Sequence, residues 1–145
     1  MPDPAAIISI GYTSLQPSTP QRSFEEVRFE AAQRAYLDAG IAADEAGSFV
    51  TCAEDLSEGI SIFDEYTPDP LGAVQKPMHT LTQDGLHGIA DAAIQIRAGI
   101  TELVVVETHS KVSNMLTPDR VVEYALDPSY NRPPVSIPMF WRESR

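Results

Sequence analysis

The chain has 145 residues, of which 43% are hydrophobic and 21% charged, and its 21 acidic and 10 basic side chains leave a net charge of −11. That length suits a single domain with one modest core, and the acidic balance repels phosphate backbones and anionic lipid, which argues against nucleic-acid binding. Apolar runs such as Leu103 to Val106 fall far short of the roughly 20 residues that a membrane helix requires. The opening Met1-Pro2-Asp3-Pro4 has neither the basic nor the apolar region of a secretory signal. The lone cysteine, Cys52, cannot form an intrachain disulfide and fits a reducing compartment, so the expected location is cytoplasmic.

Ile7-Ile8-Ser9-Ile10-Gly11-Tyr12 reads as a first strand, closed by Gly11 and the polar, Pro-rich stretch Ser14 to Gln21. A helix over Ser23 to Gly40 follows. Ser23 and Glu26 have the spacing of a capping box, and Gly40 sits where a left-handed C-terminal cap belongs. Val27, Ala31, Ala35 and Ala39, flanked by Ala32 and Tyr36, give that helix a face small enough to lie close against a sheet. Phe49 to Ala53 is the next strand candidate, and Glu54 to Leu71 a long acidic connection. Ala73 to His79 reads as a weaker strand, because Pro77 donates no ladder hydrogen bond and favours an edge or a strand end.

The clearest helix begins after Asp84, a good N-cap, and carries Leu86, Ile89, Ala90, Ala93 and Ile94 as one apolar stripe expected to be buried. Gly99 ends it. The run Leu103 to Val106 then has the β-branched continuity of a strand covered on both faces of a parallel sheet. Thr117-Pro118 opens a short helix with Val121, Val122, Ala125 and Leu126 on its buried side, and the tail from about Asp127 is irregular. The alternation of strands and helices predicts an α/β layered domain over residues 1–145 with a largely parallel, mixed sheet.

Gly11-Tyr12-Thr13-Ser14 matches neither the dinucleotide turn nor the P-loop. His79, His87 and His109 lack paired metal-ligand spacing, and no metal or resident cofactor is expected. Cys52 reads as a small core residue, and His87, one residue from the apolar stripe, as a helix-surface or boundary residue. His109 follows the buried strand, and strand C-terminal ends are where α/β sheets place ligands, so it is the candidate contact among the histidines. The segment Thr80-Leu81-Thr82-Gln83-Asp84-Gly85 joins a strand to the best helix, whose free N–H groups and dipole favour negative charge. Thr82, Gln83, Asp84 and Gly85 are therefore candidate substrate-binding residues. A threonine hydroxyl at Thr82 needs an adjacent general base to attack a thioester, and no such base is visible beside it in sequence. The plainer reading makes Thr82 a turn residue ahead of the Asp84 cap.

The opening Ile8 to Thr13, the helix Ser23 to Gly40, the block Thr82-Gln83-Asp84-Gly85-Leu86 through Ala92 to Gly99, and the Glu102 to Glu107 strand together resemble the N-terminal half of the thiolase superfamily. The likeness is closest to its thiolase-like and sterol-carrier-protein-type branches. Asp127 to Pro133 also resembles a segment of thiolase-like proteins. In that family the block reads C-A-S-G-L followed by A-x-x-x-I-x-x-G. Thr82 therefore occupies the place of the acyl-accepting cysteine. The G-x-E-S-M-S stretch of the family stands here as Thr108 to Ser113.

The resemblance implies a thiolase-like half-fold whose catalytic histidines, second cysteine and much of the oxyanion hole would lie in a second half. It implies a subunit of an acyl-CoA-processing assembly, either acyltransferase or carbon–carbon bond cleaving, because relatives lacking the cysteine cleave such bonds with other acid–base groups. Such a subunit would not be a competent thiolase alone. Coenzyme A thioester would be the substrate, and a thiolase-like chain the partner in a homo- or hetero-oligomer. The alternative is a non-catalytic scaffold that binds another thiolase-like chain.

Overall fold

A computed structural model describes residues 4–53 and 63–111. The expected α/β class is what forms. Helix α1 spans Phe24–Ala39, strand β1 Ser48–Cys52, a one-turn helix α2 Pro68–Leu71, strand β2 Met78–Leu81, helix α3 Gly85–Arg97 and strand β3 Val104–Thr108. The strands form a sheet of order β2-β1-β3 in which both pairings are parallel, with Phe49 opposite Met78 and Val105, and Cys52 opposite Leu81 and Thr108. No antiparallel pairing occurs among the described residues. Parallel neighbours need crossover connections, and α3 makes the crossover from β2 to β3.

The helix ends are set by local chemistry. Ser23 Oγ accepts from the Glu26 N–H at 3.0 Å while the Glu26 carboxylate accepts from the Ser23 N–H at 2.7 Å, so the expected capping box forms. Gly40 closes α1 at φ 67°, a backbone state that costs a residue with a Cβ about 1–2 kcal/mol. Asp84 Oδ1 accepts from the N–H groups of Leu86 and His87 and starts α3.

Side chains alternate across β1 and β3. Phe49 joins Ala32, Tyr36, Ala46, Leu71 and Ala73 in the core on the α1 side, with Leu103 and Val105 packed against it. Val50, Cys52 and Val106 face α3 instead, around Gly88. Helices thus lie on both faces of the sheet, but only the central strand β1 is buried throughout; Leu103 to Val106, at and before the edge strand β3, are half-buried, short of the burial on both faces expected of the β-branched run. Tyr36 donates its hydroxyl to Leu71 O at 2.6 Å, tying α1 to α2, and burial pushes its phenol up to about 12.

Five expectations are corrected. Ile7 to Tyr12 is not a strand. It has no ladder partner among the described residues, and Ile10 is 70% exposed. Gly11 instead presses on the α1 backbone, where a Cβ would come 2.0 Å from Ala31 O and 2.5 Å from Ala35 N. The Arg34 guanidinium donates to Tyr12 O. The seam of α1 is also shifted by one residue. Arg28, Ala32 and Tyr36 are its buried residues, and the small Ala31–Ala35 face receives the Gly11 backbone.

The strand expected over Ala73 to His79 starts only after Pro77 and runs to Leu81. It is an edge strand, in accord with the proline. Asp69 and its neighbours, expected in a connection, form the short α2 behind Pro68 at its first position.

The fifth correction concerns α3, which buries Gly88, Ala92 and Gln95 rather than its apolar stripe. Leu86 is 72% exposed, Ile89 42% and Ile94 63%. The close fit explains this orientation. A Cβ on Gly88 would lie 2.5 Å from Cys52 Sγ and 2.8 Å from Val106 Cγ1, and one on Gly85 2.9 Å from Thr108 Cγ2. The side of α3 with the least bulk is the only one that can approach this closely. The helix expected after Thr117 and the tail from Asp127 lie outside the described residues. Among the described residues, no helix is long and apolar enough to cross a membrane.

Overpacking of a filled core costs about 1–3 kcal/mol. Gly88→Ala is therefore expected to lower the unfolding free energy by that amount in urea titration. Adding Cys52→Ala should recover part of the loss, since Val106 still crowds the new methyl.

Candidate functional site

Two polar groupings flank the sheet, and the sequence-predicted residues divide between them. The first lies where β2 gives way to α3. Thr82 and Gln83 are exposed there and line a cavity of about 390 Å³ together with Thr80, His87, Asp91 and Ile94. The cavity lies beside the C-terminal end of an outer strand of a parallel sheet, the end at which such sheets generally take ligands. Asp84, the N-cap of α3, does not itself line the cavity. Gly85 abuts Thr108, whose hydroxyl donates to Cys52 O at 3.3 Å.

Two imidazole–carboxylate pairs stand on this side of the sheet. His87 Nδ1 lies 3.0 Å from Asp84 Oδ1, and His79 Nδ1 3.1 Å from Asp91 Oδ2. An ionised carboxylate only accepts, so the imidazole N–H donates in each. The His87 side-chain bond, followed by its backbone N–H, holds the Asp84 carboxyl below its usual range. Behind Asp91, the amide of Gln95 donates to Asp91 Oδ2 at 2.7 Å and is 2% exposed. The Gln95 carbonyl oxygen has no hydrogen-bond partner among the described residues.

His87 was expected to be a helix-surface or boundary residue, and it is exposed. The structure nevertheless shows what the local sequence did not, an imidazole held by Asp84 on a residue that lines the same cavity as Thr82. A histidine three residues after an aspartate N-cap is the signal that could have found it, because i and i+3 share a helix face.

The second grouping contains His109 and lies on the α1 side of the sheet. Glu107 is its hub. Its Oε1 accepts from Arg28 Nε at 3.1 Å and from His109 Nδ1 at 2.7 Å. Its Oε2 accepts from Arg28 Nη2 at 3.3 Å and Thr51 Oγ1 at 2.6 Å. Phe24 closes the group, with its ring centroid 6.1 Å from that of His109 and 5.4 Å from the Arg28 guanidinium.

All of the polar side chains in this second group are buried. Burial alone would raise the Glu107 carboxyl. The His109 imidazole, the Arg28 guanidinium and the Thr51 hydroxyl outweigh it and hold the group below its ordinary value of 4.5. Sequence reasoning missed Arg28, Thr51 and Glu107. The available signal was Arg28 in the i, i+4 row with Ala32 and Tyr36.

The structure does not bring His109 together with Thr82. Glu107 and His109 project toward α1, whereas Thr82 follows β2, and β1 separates β2 from β3. Adjacent strands are about 4.8 Å apart, so the two groups also stand about 10 Å apart across the sheet. His109 does not line the cavity that holds Thr82.

Cys52 is buried, as expected. Burial first, and then the nearby Glu107 carboxylate, push its thiol up, which makes it a poor nucleophile. Among the described residues, no group of three or more His, Cys, Asp or Glu side chains could hold a metal ion.

No protein-family model matches the chain, and no curated protein does. Among solved structures, the chain is similar to one described as "Ltp2-ChsH2(DUF35) aldolase", at 22% identity and a TM-score of 0.63. The likeness covers 90% of this chain and 35% of that one, so the chain spans about a third of the length of the solved chain it matches. At that identity, the shared property is the fold.

Removing one partner of a buried ion pair costs about 3–5 kcal/mol, so Arg28→Ala is expected to destabilise the domain by that order in chemical denaturation. Glu107 has a folded value below its unfolded one. Its stabilising contribution is complete above pH 4.5 and is lost as pH falls through the lower folded value. Glu107→Gln should flatten the stability–pH curve below pH 4.5. An unchanged acid limb in thermal melts would contradict this linkage.

Proposed function

We propose that this chain is a thiolase-like subunit of an acyl-CoA-processing assembly, either acyl-transferring or carbon–carbon bond cleaving, and is not a competent thiolase by itself. The observation that carries the reading is the orientation of α3. Its small side is spent on the sheet, and its apolar side, Leu86, Ile89 and Ile94, faces outward beside the cavity that Thr82 lines. An exposed apolar stripe next to an open cavity is the expected surface of a site completed by another chain or domain. The fold it shares with a chain described as an aldolase, of which it spans a third, supports the same reading.

Thr82, Gln83, Asp84 and Gly85 would form this subunit's share of the acyl-thioester pocket. The thiolase resemblance puts Thr82 where a nucleophilic cysteine would stand, and coenzyme A thioester is the proposed substrate. His109 belongs to the buried Glu107 cluster and is withdrawn as a substrate contact on this face. A thiolase-like chain is the proposed partner, and a cytoplasmic location is retained from the single, buried cysteine.

The scaffold alternative uses the same apolar stripe without chemistry at Thr82, and one pair of variants separates the two. In the complex isolated with its native partners, Thr82→Ala is expected to lower acyl-CoA cleavage at least tenfold with association intact; unchanged cleavage identifies a scaffold. Charges at the centre of an interface cost about 2 kcal/mol or more. The double variant Leu86→Glu, Ile89→Glu should therefore weaken association by more than about tenfold in analytical ultracentrifugation. Unaltered association would remove the basis for placing the partner on α3.

A further inference from the structure

We infer that the free edge of β3 and the segment Ile7 to Tyr12 are two walls of a strand-acceptor slot, and that its occupant is one uncharged, apolar β-strand supplied by the partner chain. The inference rests on the reading above for the existence of a second chain. It uses the opposite edge of the sheet from the cavity between β2 and α3.

The two edges of the sheet are built differently. β2 is four residues long, follows Pro77 and exposes His79 and Thr80. A short, polar, proline-bounded strand discourages pairing at an edge. β3 has none of these devices. Val104, Val105 and Val106 are half-buried and carry neither charge nor proline, and among the described residues β3 has a strand on one side only. The outward N–H and C=O groups of such an edge are a template for another strand.

The second wall has the same need. From Pro4 to Gln16 the chain has no helix, turn or bend, and Ile7 to Gly11 make no backbone hydrogen bond among the described residues. Ser9, Gly11 and Thr13 are half-buried, whereas Ile8, Ile10 and Tyr12 between them are exposed. That alternation is the side-chain period of a strand, here without a neighbouring strand. The segment is anchored on α1, through Gly11 against Ala31 and Ala35 and through the Arg34 bond to Tyr12 O. It lies on the β3 side of that helix. Thr13, Ser14 and Leu15 line one cavity with Ser110 and Lys111, the residues that continue β3, and Arg28 of α1 reaches Glu107 at the end of β3.

The walls also define what fits between them. Pro4 to Gln21 contain no charged residue, although the chain carries −11, and neither do Leu103 to Val106. A charged strand would bury its charges there without partners. A second copy of this chain would bring its own −11 against the first. This chain spans 35% of the solved chain whose fold it shares, which points to the polypeptide supplying the remainder of such a fold as the source of the strand.

Hydrogen exchange read by mass spectrometry, on the isolated chain and on the complex with its native partners, tests the slot. The amides of Ile7 to Gly11 and the outward amides of β3 are expected to exchange about tenfold or more slowly in the complex. Ile10 is exposed and its N–H donates no hydrogen bond, so Ile10→Pro should leave the melting temperature of the isolated chain unchanged. It should nevertheless weaken association by about tenfold or more, because proline donates nothing to a ladder. Leu37→Lys, at an exposed apolar residue of α1, should leave association intact. Exchange that is unchanged in the complex, or Ile7 to Gly11 amides already protected in the isolated chain, would overturn the inference. So would self-association of the purified chain that Ile10→Pro abolishes, since a second copy would then fill the slot. Association lost in the double variant Leu86→Glu, Ile89→Glu but kept in Ile10→Pro removes the slot and leaves the α3 contact standing. The reverse pattern removes the α3 contact and supports the slot, and association indifferent to both removes both.

Discussion

Helix α3 meets the sheet through residues with almost no side chain, and much else follows from that contact. Gly88 leaves no space between the helix backbone and Cys52 or Val106, and Gly85 stands almost as close to Thr108. A helix docked this tightly cannot rotate to bury a bulkier face, because each added methylene would have to displace side chains of a close-packed interior. The orientation of every other α3 residue is thereby set. Ala92 and Gln95 turn inward, Asp91 and His87 turn toward the end of β2, and the isoleucines turn to the outside. The cavity is a product of the same constraint, since it opens beside the helix where β2 stops.

The other side of the sheet is organised by charge. Glu107 is buried at the end of β3 and accepts four hydrogen bonds from three elements. Leaving a carboxylate dry is expensive unless its lone pairs are occupied and its charge is met, and Arg28 with His109 and Thr51 does both. The group pins the N-terminal half of α1 to β1 and β3 at the end of the sheet nearest the Thr82 loop. The two polar groupings thus have different jobs. One is closed and binds secondary-structure elements to one another. The other is open, its histidines solvent-exposed.

The parts of this fold that were legible in the sequence are those decided within a few residues. Ser23 with Glu26, Gly40 and Asp84 announce helix ends because each satisfies backbone groups of its own turn. The β-branched run ending at Val106 announced a parallel strand, though not that it would lie half-buried at the sheet edge. The illegible parts are decided by partners far along the chain. Ile7 to Tyr12 has strand-forming residues, but a strand also needs a neighbouring edge, and the Gly11 backbone settles on a helix instead. The apolar period of α3 correctly defines a face without revealing which face docks; the close approach of Gly88 selects the opposite one. Arg28 and Glu107 look like solvated charges until Thr51, 56 residues from Glu107, is brought beside them.

The candidate site shows the same division. The loop from Thr82 to Gly85 could be read as a strand-to-helix junction from its order alone, and Asp84 as its cap. The pairing of that cap with His87 follows from helix geometry, whereas the separation of His109 follows from strand order. Because β1 lies between β2 and β3, residues at the ends of the outer strands are two strand spacings apart even though both follow parallel strands. The alternation of β3 then sends Glu107 and His109 toward α1 rather than α3. A histidine after a buried strand is therefore a ligand contact only if its parity and strand position match those of the other site residues. His87, carried on the helix that borders the cavity, lines it together with Thr82, and His109 does not.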